Sequence, residues 1–167
     1  MKIIRTLLLA LTVIACLPAP SFADGPSIQG TYQLESRDLP NGKKMQPPAI
    51  TGLLTYGKEY RNFNVSWTGP DGKHVSIAYT AKYTLSPTVY QEAPIYWMTN
   101  NLGGKGVSYK MPANKGAENA VTVKDGTITF PVAGEPPVLE FTADGLTATA
   151  KDAQGKMMFV DHWKKVE

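Results

Sequence analysis

The sequence predicts an all-β chain, a single antiparallel meander closing into a barrel of about 8–10 strands. Three observations carry this. Residues 52–85 hold three β-type runs joined by two short turns; Phe63, Val65 and Trp67 share one side of the second run, and Val75, Ile77, Tyr79, Ala81, Tyr83 and Leu85 share one side of the third. A period of two with large apolar groups on one face means strands with a single buried side. Gly and Pro punctuation is frequent and even, no stretch has a convincing helical period, and Val, Ile, Thr, Tyr and Phe dominate the runs between turns, as strands prefer. Hairpin signals recur at Gly69-Pro70-Asp71-Gly72, Asp125-Gly126 and Asp144-Gly145, the last two expected to place both central residues at positive φ.

In chain order, residues 1–23 read as a signal peptide. Lys2 and Arg5 give a positive start, an apolar run follows to Leu17, and Ser21-Phe22-Ala23 offers small residues for cleavage before Asp24. The apolar run is too short to span a bilayer. Val13-Ile14-Ala15-Cys16 also fits a lipoprotein box, in which Cys16 would carry the lipid. Either way the chain is expected to be exported, periplasmic or secreted, with residues 24–167 as one domain.

Strands are expected at residues 28–38, 50–56, 60–68 and 75–85, with Pro40-Asn41-Gly42-Lys43 as a turn and Gln46-Pro47-Pro48-Ala49 as a stiff connector. Residues 89–98 read as a strand whose Pro94 requires an edge position or a bulge. The Asn- and Gly-rich residues 100–106 form a loop, 107–111 a short strand and 112–119 a loop. Short strands follow at 121–124, 127–132, 138–143 and 146–151, and a last one at 157–166.

Composition narrows the function classes. From Asp24 onward the chain has 144 residues and no cysteine, so it must hold itself by packing rather than by disulfides. Without Lys2 and Arg5, 15 basic side chains face 14 acidic ones, a net charge of +1 that leaves no footprint for nucleic acid. Two distant histidines make no metal-ligand cluster. No nucleophile elbow, phosphate loop or dinucleotide fingerprint is present. Neither a metal nor a cofactor is expected, and no catalytic residue is assigned.

Gly30-Thr31-Tyr32-x-Leu34, followed by Thr51-Gly52-Leu53-Leu54-Thr55-Tyr56 and closed by Asp161-His162-Trp163-Lys164, resembles the bacterial lipocalin-like domain family over most of residues 27–165. Tyr32 stands where that family usually has an indole. The resemblance implies a closed lipocalin-like meander barrel with an apolar interior, and no assigned reaction.

The candidate ligand-binding set is Tyr56, Arg61, Phe63, Trp67, Tyr79, Tyr83, Glu92 and Tyr96. The rings pattern inward, where they serve either as core or as pocket lining. Several inward tyrosines suit a cavity with polar points, because each buried hydroxyl needs a partner. Arg61 shares the parity of Phe63 and Trp67. It either reaches solvent from the barrel mouth along its stem, or pairs inside with Glu92 or a ligand carboxylate. Asp161 shares a face with Phe159 and Trp163; it either caps nearby groups or is a buried acid able to do proton chemistry. His162, its neighbour, points to the opposite face and cannot form one acid–base unit with it. The first reading of function is therefore an exported, non-enzymatic barrel holding a small apolar molecule, with an acidic head group where Arg61 stays unpaired. The alternatives are an isomerase or cyclase on the same barrel and an envelope-associated module with a solid core.

Overall fold

A computed structural model describes residues 27–69, 71–111, 116–132 and 136–167. The expected signal peptide, its cleavage before Asp24 and the lipoprotein cysteine Cys16 lie outside the described residues. Within them the chain is all-β. The strands are β1 (Gly30–Asp38), β2 (Lys44–Met45), β3 (Ile50–Tyr56), β4 (Tyr60–Thr68), β5 (His74–Leu85), β6 (Val89–Asn100), β7 (Ser108–Lys110), β8 (Ala117–Ala120), β9 (Thr122–Lys124), β10 (Thr127–Pro131), β11 (Pro137–Phe141), β12 (Gly145–Lys151) and β13 (Met157–Lys165). One 3-10 turn, Leu102–Gly104, follows β6. No helix is long and apolar enough to cross a membrane among the described residues.

All thirteen strands belong to one antiparallel sheet, in the order β7-β6-β5-β4-β3-β1-β13-β12-β11-β10-β9, with β2 on β1 and β8 on β6. The meander expected from the hairpin signals is present, and nine strands of five residues or more carry it among the described residues. The first and last long strands, β1 and β13, pair with each other, so the two ends of the described meander meet mid-sheet. Residues 117–124 bridge the two edges: β8 pairs with β6, the Val121 N–H donates to the Thr88 carbonyl, and β9 pairs with β10, so one segment turning at Val121 ties β6 to β10 by backbone hydrogen bonds. Beneath it the Tyr90 ring of β6 stacks on Phe130 of β10 at 4.2 Å between centroids.

Alternation sets what lies inside. Leu54, Phe63, Tyr79 and Trp97 face one another across β3, β4, β5 and β6 as a single rung. Two bulges break the alternation. At Glu35 the β1–β13 register shifts between Leu34 and Ser36, so Leu34 and Arg37 both point inward although they are three residues apart. On β6 the register passes from Tyr96 opposite Thr80 to Pro94 opposite Ala81, leaving Ile95 as the extra residue. The bulge that Pro94 requires is therefore there, since its nitrogen cannot donate to a ladder.

Two local expectations are corrected. Asp125 (φ 49°) and Gly126 (φ 79°) make the expected tight turn, but Asp144-Gly145 does not adopt the positive-φ geometry. Gly145 instead opens β12, where a Cβ would sit 2.1 Å from the Trp163 carbonyl oxygen; close backbone approach, not turn geometry, requires the glycine. The loop expected at 112–119 ends in strand β8, held by the free edge of β6.

Candidate functional site

The interior divides into a solid half and a hollow half. The solid half is an aromatic cluster: Tyr32 meets Phe141 edge-on at 5.6 Å, Phe141 meets Tyr56 at 5.4 Å, Tyr56 meets Tyr83 at 5.1 Å, and Phe130 stacks between Phe141 and Tyr90. These rings come from strands on opposite walls, so they fill the barrel rather than line it. Two of their hydroxyls donate to main-chain carbonyls: Tyr32 to that of Ile28 at 3.0 Å and Tyr83 to that of Gly57. Burial pushes the phenols of Tyr32 and Tyr83 up to about 12.

Next to this plug sits a buried polar cluster. Arg61 is 2% exposed and Glu92 4%. Arg61 Nη1 donates to Glu92 Oε1 at 2.9 Å and Oε2 at 3.1 Å, while the hydroxyls of Tyr79 and Tyr90 also donate to the carboxylate. Four donated hydrogen bonds thus occupy the acceptor sites of the buried carboxylate. Burial drives the Tyr90 phenol far upward, with Tyr56 and Glu92 adding to the effect and Arg61 opposing it. The solvent-reaching reading of Arg61 is thereby overturned: the guanidinium is inside, surrounded by the rings of Tyr79, Phe63 and Tyr56 at 5.2, 5.6 and 5.8 Å.

Above that cluster the barrel is hollow. A cavity of about 390 Å³ is lined by Phe63, Val65 and Trp67 of β4, Trp97 of β6, Leu146 and Ala148 of β12, and Trp163 of β13, with Arg61 at one end. Along β4 the lining runs from Arg61 to Trp67, six residues or about 20 Å of strand. The space is therefore long relative to its volume. Leu102 of the 3-10 turn, Pro136, Met158 and Phe159 edge it at the far end, so the Asn- and Gly-rich loop contributes to its rim. Two larger depressions, about 690 and 760 Å³, are open grooves lined by other parts of the sheet.

The far end holds a second ion pair. Arg37 Nε donates to Asp161 Oδ1 at 2.6 Å and Nη2 to Oδ2 at 2.7 Å, the parallel fork that a guanidinium and a carboxylate make best. Phe159 lies 4.0 Å beneath the guanidinium carbon and Trp67 5.4 Å from it. Asp161 is 3% exposed. Burial raises its carboxyl above the usual range, against the pull of Arg37. The expectation that Asp161 caps backbone or hydroxyl groups gives way to this fork. His162, on the other face, bonds to Asp38 at 2.8 Å.

Of the eight candidate residues, the structure gathers Arg61, Phe63 and Trp67 on the cavity wall, and Tyr79 and Glu92 in the cluster at its closed end. Tyr56 and Tyr83 belong to the plug. Tyr96 does not join the interior: beyond the Ile95 bulge it lies opposite Thr80 and stacks on Tyr109 of β7 at 6.1 Å. Among the wall residues outside the candidate set, the large or charged ones that matter most are Arg37, Trp97 and Trp163. Trp97 takes the place expected of Tyr96, and Pro94 is the signal for it. Arg37 has no such signal, because nothing in Leu34-Glu35-Ser36-Arg37 marks a bulge. Trp163 fits because Gly52 stands opposite: a Cβ there would meet the indole at 2.8 Å. Among the described residues no group of His, Cys, Asp or Glu is placed to hold a metal ion.

No protein-family model matches the chain, and no curated protein matches it. Among solved structures it is similar to a redesigned beta barrel, at 10% identity and a TM-score of 0.40, over 83% of this chain and 91% of that one.

Proposed function

We propose that the chain is an exported lipocalin-like barrel that carries a small, mostly apolar molecule in its interior. The observation behind this reading is the cavity of about 390 Å³ walled by three indoles, a phenyl ring and aliphatic groups, within the range of small-molecule sites. Export rests on the N-terminal pattern around Lys2, Arg5 and Ser21-Phe22-Ala23. Burying about ten methylenes there gives on the order of 8 kcal/mol gross, before ordering costs. Both interior carboxylates are bound by arginines, which favours holding a molecule over moving a proton.

The test is native mass spectrometry of protein purified from its own host, read together with thermal shift of delipidated protein against an apolar panel. Retained mass of a small molecule is expected, as is a Tm rise. At about a hundred times its Kd a ligand stabilises by about 2.7 kcal/mol, which is several degrees for a domain of this size. No retained molecule and no shift across the panel would reject the carrier reading.

A further inference from the structure

The two ends of the barrel differ in charge. At the end where the cavity opens lie the connections between β1 and β3, β4 and β5, β6 and β7, β10 and β11, and β12 and β13. Their described residues include five lysines, Lys43, Lys44, Lys73, Lys105 and Lys156, against two aspartates, Asp71 and Asp152. The connections at the opposite end hold one lysine, Lys58, against Glu59, Asp125 and Asp144 among the described residues. Both aspartates at the mouth are already engaged. Asp71 lies 3.5 Å from the Lys73 ammonium, and Asp152 accepts the backbone N–H groups of Gln154 and Lys156 at 3.0 and 2.9 Å. Lys43, Lys105 and Lys156 make no salt bridge among the described residues.

Apolar side chains stand among these lysines. Val107 is 75% exposed, Met158 44%, Leu102 38% and Met157 37%, and Leu102 and Met158 edge the cavity itself. Four such groups at one rim form a patch rather than scattered singles, and a patch of this kind marks a contact surface.

We propose that the open end of the barrel docks on an anionic lipid bilayer. Leu102, Val107, Met157 and Met158 enter the acyl boundary, while Lys43, Lys105 and Lys156 meet the headgroup phosphates. Binding to a membrane surface needs this combination of buried apolar area and attraction to anionic lipid. The opposite end, with its excess of carboxylates, is repelled by the same surface, so the charge difference also sets the orientation. The mouth of the hollow then faces lipid, and an apolar molecule passes between bilayer and cavity without crossing water. Docking itself stands apart from the carrier reading, since a barrel with nothing in its interior presents the same face.

The test is flotation of the protein with vesicles of phosphatidylcholine alone and of a two-to-one mixture of phosphatidylcholine and phosphatidylglycerol. A Cys16→Ser background removes any lipid anchor, and all variants share one N-terminus. The mixture is expected to float the protein and phosphatidylcholine alone to leave it behind, with release from the mixture at ~1 M salt, where screening sets in within about 3 Å. Lys105→Gln with Lys156→Gln should weaken binding to the mixture about twenty-five-fold, at about fivefold for each lysine. Val107→Gln with Met157→Gln, neither of which lines the cavity, should weaken it at least about tenfold. Lys58→Gln with Lys124→Gln removes the same charge from the opposite end, beyond a screening length of about 10 Å, and should change the affinity less than about twofold. Equal losses from the two lysine doubles overturn the inference, because the attraction then belongs to net charge and not to the mouth. Phosphatidylcholine matching the mixture overturns it as well. Failure to float with either lipid also overturns it and leaves this face to an acidic protein. The carrier reading survives all three results, being decided by retained mass and thermal shift. Every substituted lysine and apolar side chain is exposed, so none removes core packing, and the comparison of the two lipids decides even where a variant fails to fold.

Discussion

Arg37 reaches Asp161 across β1 and β13 in a two-point fork, Nε to Oδ1 at 2.6 Å and Nη2 to Oδ2 at 2.7 Å, only because Glu35 is extruded from the register between them. Both partners are buried, so removing one strands the other. Arg37→Met is expected to destabilise by about 3–5 kcal/mol, whereas the double change Arg37→Met with Asp161→Leu should recover most of the loss, because the penalty lies in the orphaned charge. Urea unfolding of the two variants checks this. A double variant as unstable as the single one contradicts it.

The same carboxyl sets a pH dependence whose sign differs from that of its neighbour on β1. Asp161 is raised by burial, so above about pH 4 the folded state holds a proton that the unfolded state has released. Its contribution is fully present below about pH 4 and is lost as pH rises through the folded value. Asp38 is lowered, chiefly by the hydrogen bond from His162; its contribution is present above about pH 4 and is lost as pH falls through the folded value. Unfolding measured across this range should show the stability difference between wild type and Asp161→Asn shrinking as pH rises. For Asp38→Asn the difference should shrink as pH falls. Slopes of the opposite sign would refute the assignment.

Phe130 packs beneath the seam that residues 117–124 bridge between β6 and β10, stacking on Tyr90 at 4.2 Å and on Phe141 at 5.5 Å. It is fully buried, and Phe130→Ala should cost about 3–5 kcal/mol as a cavity in a rigid plug. Amide hydrogen exchange should then rise first in β8 and β10. Uniform exchange across the sheet would mean that the seam is held by something else.

The phenols of the plug give an independent reading of its dryness. Tyr32 and Tyr83 are pushed up to about 12 by burial. Their contribution to stability is therefore complete below about pH 10 and lost as pH rises toward about 12. Ultraviolet titration should show late phenolate steps near pH ~12, one of them absent from Tyr83→Phe. Steps all finished near pH ~10 would mean that water reaches the plug.

Most of the fold is legible in the sequence because a period of two survives single exceptions. The inward sets on β4 and β5, the inward parity of Arg61 and Glu92 (though not their pairing), and the opposite facing of Asp161 and His162 all follow from parity alone. What is not legible lies past the two bulges. A strand pattern fixes faces only until one residue is extruded, after which every later side chain changes sides. That is why parity passes over Arg37 and puts Tyr96 inside. The division into plug and hollow is also hidden. Tyr56 and Tyr83 show the same parity as Phe63 and Trp67, and only their distance along the barrel decides whether a ring meets its opposite number or a void.

The pair Tyr96 and Trp97 turns this point into a measurement. Trp97 lines the cavity and meets Tyr79 edge-on at 5.2 Å, whereas Tyr96 stacks on Tyr109 outside it. Trp97→Ala should cost about 2 kcal/mol, less than a fully buried indole, and should weaken binding of the best apolar ligand from the thermal-shift panel about tenfold. Tyr96→Ala removes only an outer stacked pair, worth about 0.5–1.5 kcal/mol, and should leave that affinity unchanged. Fluorescence titration of both variants separates the cases. If Tyr96→Ala abolished binding while Trp97→Ala did not, the bulge at Ile95 would have to lie elsewhere, and the inward face of β6 would follow uninterrupted alternation from Tyr90 onward.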